Sequence, residues 1–100
     1  MNFKHTSQPK DIELSHQEIA QRMGDLYYDS LAGFLNELSQ KIKQDADADN
    51  QRNRLKLSEE LYASADLLAS AAEHIQNAWE ICEPFVREWE EINVSNRENK

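Results

Sequence analysis

The run QDADADN, residues 44–50, sets Asp45, Asp47 and Asp49 on alternate positions ahead of Asn50. The first half of a calcium-binding loop presents its oxygen ligands with that spacing. A twelve-residue loop begun at Asp45 would need glycine at its sixth position and a bidentate glutamate at its twelfth. Asn50 and Lys56 stand there instead, and Arg52 occupies the eighth position, where an apolar residue is usual. Asparagine tolerates a left-handed backbone, but a lysine puts a cation where a ligand should be. The run therefore reads as an acidic connector between helices.

Glu80 and Glu83 form an ExxE pair, with Glu59, Glu60, Asp66 and Glu73 upstream. Helical enzymes that hydrolyse nucleotides hold magnesium between two such pairs facing across a bundle. The first helix sets Asp25, Asp29 and Glu37 against them, without a second pair, so a solvated acidic face is the better reading. His5, His16 and His74 have no histidine at i+4, and His74 lies two helical turns from Cys82, too far for a thiol–imidazole pair. Neither glycine, Gly24 or Gly33, sits in a phosphate-binding loop or a nucleophile elbow. The residues thus name no catalytic group, no metal ligand and no cofactor. A small all-α enzyme or metal-binding protein using the acidic second helix, for example in magnesium-dependent nucleotide hydrolysis, is the alternative to a non-enzymatic reading.

Composition says what kind of scaffold carries these residues. One hundred residues suit a single domain, and two glycines and two prolines favour long helices over a turn-rich β fold. The formal net charge of −8 repels phosphate backbones, so nucleic acid is a disfavoured partner. No apolar run approaches the ~20 residues of a membrane span. A single cysteine on an apolar stripe is expected to be a buried, reduced thiol in a cytoplasmic protein.

The periodicity predicts the elements. Residues 1–14 read as irregular. Ser15 and Glu18 form a capping box, with Leu14 and Ile19 placed as a hydrophobic staple. Ile19, Met23, Leu26, Tyr27, Leu31, Phe34, Leu35, Leu38 and Ile42 then mark one helix over about 16–45. Gly24 and Gly33 inside it suggest close approach of a second helix. A turn is expected at about 46–52. Leu57, Leu61, Ala65, Leu68, Ala72, Ile75, Trp79, Cys82, Val86 and Trp89 follow a seven-residue repeat, predicting a second helix over about 53–83. Its start is ambiguous between about 50 and 58, because Ser58 is a second candidate cap. Pro84 predicts a kink followed by a short helix over about 85–93, with residues 95–100 frayed.

The expected fold is all-α: a long antiparallel helical hairpin, dimerising into a four-helix bundle, with a short third helix or kinked extension after Pro84. A turn near residues 48–49 would set Phe34 opposite Ala63, Tyr27 opposite Ser70 and Met23 opposite His74, with Trp79 beside Leu14 and Ile19. Phe85, Trp89 and Ile92 would then overhang the first helix. They would need a cover: the N-terminal segment with Phe3 and Ile12, a fold-back at Pro84 that closes a three-helix monomer, or another chain. Lys41, Lys43, Arg52, Arg54 and Lys56 crowd one end, and Glu80, Glu83, Glu88, Glu90 and Glu91 the other, so an antiparallel dimer would bring opposite charges together. The expected function is a homodimeric protein–protein interaction or regulatory module. Tyr27, Leu31, Phe34, Leu61, Leu68 and Ile75 are the candidates for self-association, and Phe85, Trp89 and Ile92 for contact with another protein.

Overall fold

A computed structural model describes the backbone of residues 5–98 and the side chains of residues 5–92. Every regular element among them is helical: α1 (His16–Gly24), α2 (Tyr28–Gln51) and α3 (Leu55–Glu98). At 1.5 Å per residue, the 44 residues of α3 span about 66 Å. That is the long dimension of a molecule measuring 64 × 30 × 17 Å. No described helix is long and apolar enough to cross a membrane.

α1 opens with the expected capping box. The Glu18 amide donates to Ser15 Oγ at 3.1 Å, and the Ser15 amide donates to Glu18 Oε1 at 3.4 Å. The helix stops at Gly24, however, and residues 25–27 are not helical. The single helix expected over about 16–45 is therefore two. Glycine is about 1 kcal/mol less favourable than alanine inside a helix, and Tyr27 takes an extended ψ of 146° before α2 begins. The break lets Tyr27 turn onto α3.

α2 runs through the aspartates to Gln51, so the expected turn at about 46–52 lies further on, at residues 52–54. The stop is a Schellman motif without glycine. Asn53 adopts φ 63°, its amide donates to the Asn50 carbonyl at 3.0 Å, and the Arg54 amide donates to the Asp49 carbonyl at 2.9 Å. α3 starts at Leu55 and continues through Pro84 to Glu98 as one helix. Neither a break at Pro84 nor a closing third helix over 85–93 is present. The proline forfeits one hydrogen bond, and the residue at i−4, Glu80, is exposed, so water can satisfy its carbonyl. Phe3 lies outside the described residues.

α2 and α3 pack together. Their buried seam is made of small residues at seven-residue steps: Ala32, Ser39 and Ala46 on α2, and Ser58, Ala65, Ala72 and finally Trp79 on α3. Ser39 Oγ donates to the Ala65 carbonyl at 2.7 Å, a bond that holds the two backbones close. Tyr62 pairs with Asp47, Ser39 with Ala65, and Tyr27 with Trp79. The expected register, with Tyr27 opposite Ser70 and Trp79 beside Leu14 and Ile19, is thus displaced by about one heptad, because α2 ends later than expected. Close approach occurs at the alanines and not at the glycines. A Cβ added at Gly24 or Gly33 meets nothing within 4 Å.

Candidate interaction surface

The residues with chemical potential are mostly occupied in holding the fold. Asp45 is buried and accepts from Lys41 Nζ at 2.7 Å, with His5 Nε2 at 4.0 Å. Asp47 accepts the Tyr62 hydroxyl, and the same hydrogen bond raises the Tyr62 pKa above its ordinary value. Asp49 faces Arg54 Nη1 at 3.3 Å across the connection. The three carboxylates therefore serve three different partners. Among the described residues no group of three or more His, Cys, Asp or Glu side chains is arranged to hold a metal ion. Glu83 is engaged at 3.6 Å by Arg87, and His16 Nε2 lies 3.0 Å from the Ser7 carbonyl. Cys82 is half-buried, not the fully buried thiol its stripe suggested. Tyr27 and Trp79, which lie beside it along a shallow groove of about 290 Å³, fill only part of its surroundings.

One polar and aromatic cluster organises the N-terminal end of α2. The Tyr27 ring stacks on Trp79 with centroids 5.5 Å apart and planes 24° apart. The Tyr27 hydroxyl donates to Glu90 Oε1, Arg87 Nη1 donates to Glu90 Oε2 at 3.4 Å, and the Arg87 guanidinium sits 5.9 Å from the Trp79 ring centroid. The Tyr27 hydrogen bond holds the Glu90 carboxyl below the ordinary range and pushes the Tyr27 hydroxyl above its own. This cluster ties the end of α2 to the far half of α3. Aromatic pairs offset in this way add about 0.5–1.5 kcal/mol beyond area burial.

The large apolar side chains lie elsewhere. On α3, Leu67 is 72% exposed, Ile81 74%, Phe85 69%, Trp89 63% and Ile92 54%. Among the six residues expected to self-associate, Tyr27 and Phe34 are exposed, while Leu31, Leu61, Leu68 and Ile75 are half-buried beside the α2–α3 seam. The three expected to meet another protein, Phe85, Trp89 and Ile92, share the exposed far half of α3. The structure thus separates the two groups: four of the first flank the seam, and the second group lies past the end of α2.

Two features escaped the periodicity reading. The Ala32–Ser39–Ala46 seam carries a seven-residue signal, but small residues count weakly in an apolar tally. The second is a stripe on α3 that joins Leu67, Ala71, His74, Ala78, Ile81 and Phe85 at alternating steps of four and three. Ala78 is half-buried and the other five are exposed. Comparison of the chain with protein families, curated proteins and solved structures finds no match.

Proposed function

We propose that the chain is a homodimeric protein–protein interaction module of the cytoplasm, with α2 and α3 as the arms of an antiparallel hairpin and two hairpins associating as a four-helix bundle. One observation carries the reading: the core is inverted in size. Among the described residues the buried hydrophobic ones are four alanines and Trp79, while leucine, isoleucine and phenylalanine side chains line the outside of α3. Burying such a side chain is worth about 1.5–3 kcal/mol. A lone helix pair leaves that stabilisation unused, and small scaffolds commonly recover it by association. A contiguous exposed apolar strip of this kind is what marks a protein-binding surface. The hairpin arms supply rigidity, and the Tyr27–Trp79–Glu90 cluster anchors the start of α2 to α3.

Light scattering on the eluting protein across a wide concentration range tests this. The reading expects twice the chain mass at high concentration. A strict monomer there overturns it.

A further inference from the structure

We infer, building on the dimer reading above, that the exposed stripe on α3 docks onto the same stripe of a second copy in the reverse direction, with residues 74 and 78 flanking the two-fold axis. Leu67, Ala71, His74, Ala78, Ile81 and Phe85 recur with the four-three spacing of a helix–helix seam. α2 covers a different face, the one carrying Ala65, Ala72 and Trp79. In the reverse alignment Leu67 meets Phe85 of the second copy, Ala71 meets Ile81, and His74 meets Ala78. Two-fold symmetry then repeats each pair on the other side of the axis. Small residues lie opposite large ones through the centre, and two large residues close each end. Beyond these pairs Glu88 falls opposite Ser64 and Ile92 opposite Glu60, at the outer rim where both carboxylates stay in water.

The charges select this alignment over its neighbours. Sliding it by one heptad sets Glu88 opposite Ala71 inside the seam, where an unpaired charge loses its hydration. Sliding the other way sets Glu60 opposite Phe85 and Ser64 opposite Ile81. A parallel pairing puts Glu88 beside Glu88, and gathers Glu80, Glu83, Glu90 and Glu91 of both copies at one end. The reverse alignment sends those acidic ends apart. Glu88, Glu90 and Glu91 then lie opposite residues 64, 62 and 61 of the second copy, while Glu80 and Glu83 fall opposite Ala72 and Ala69.

Disulfide trapping reads the alignment directly. In a Cys82→Ser background, Ala71→Cys chains and Ile81→Cys chains carrying tags of different length are unfolded, mixed, refolded and oxidised. The inference expects the mixed disulfide on a non-reducing gel at least tenfold above either self-disulfide. A self-disulfide of Ala71→Cys chains at comparable yield shows parallel pairing and overturns it. A dimeric mass by light scattering with no mixed disulfide also overturns it, and places the dimer in another register or on another face while leaving the dimer reading standing. A monomeric mass removes both together.

Discussion

The two faces of α3 solve the problem of burial differently. The face toward α2 is built from Ser58, Ala65, Ala72 and Trp79, all nearly inaccessible to solvent. The stripe that passes through Leu67, Ile81 and Phe85 is made of larger side chains and stands in water. Hydrophobicity alone would have assigned them the other way round. Size decides the matter, because a serine–alanine seam brings the helices close enough for the short Ser39 hydroxyl to donate to the Ala65 carbonyl across it. Large side chains need a facing layer that two helices cannot supply. The seam holds the pair together, and the stripe is left for a second surface.

The largest expected effect breaks the covered face. Trp79→Ala empties a large buried site and should lower unfolding stability by about 3–5 kcal/mol, as for other buried Trp→Ala changes. Phe85→Ala, measured at a concentration where the protein is monomeric, should change stability by no more than about 0.5 kcal/mol, as surface substitutions do. Urea denaturation followed by circular dichroism checks both. Equal losses in the two variants would erase the distinction between the faces.

A medium effect tests the size argument itself. Ala72→Leu adds apolar volume where the two helices touch, and overpacking of this kind should cost about 1–3 kcal/mol. Leu67→Ala removes apolar volume from the exposed stripe and should leave monomer stability nearly unchanged. If the larger side chain at position 72 stabilises the helix pair, the seam is loose and close approach does not define it.

How much of this was legible in the chain follows from the same seam. The stripe through Ala65, Ala72 and Trp79 is readable, because the seven-residue repeat states which face a helix presents. The register is not, since sliding by one heptad preserves every face. Only the end of α2 fixes it, and that end is signalled by Asn53 in a left-handed conformation, a weaker cue than glycine. The capping box at Ser15 and Glu18 is local chemistry and is readable as such. The break at residues 25–27 is not, because Met23, Leu26 and Tyr27 keep helical spacing across it. Pro84 misleads for the opposite reason: one missing hydrogen bond on a solvated surface does not stop a helix of 44 residues. For the candidate surface, the large residues at 85, 89 and 92 stand out in the sequence, whereas Ala71, His74 and Ala78 acquire meaning only when the helix is shown to be continuous.

The smallest expected effect sharpens the comparison by pH. The seam among Ala32, Ser39, Ala65 and Ala72 contains no titratable group, so its contribution should not vary with pH. The Tyr27–Glu90 hydrogen bond needs an ionised carboxylate and a protonated phenol. It lowers the Glu90 pKa, so its stabilisation is present above the ordinary glutamate value of about 4.3 and is lost as pH falls through the lowered one. It raises the Tyr27 pKa, so the same stabilisation is present below the ordinary tyrosine value of about 10 and is lost as pH rises through the raised one. Tyr27→Phe keeps the ring on Trp79 and removes only this bond. The gap in urea midpoint between the parent and the variant should therefore be flat through neutral pH and close at both extremes. Tyr27 is exposed and Glu90 only half-buried, so the gap should be the smallest of the three effects. A gap that stays constant from acid to alkali would mean that the hydroxyl does not reach Glu90, and that the aromatic stack alone holds the end of α2 to α3.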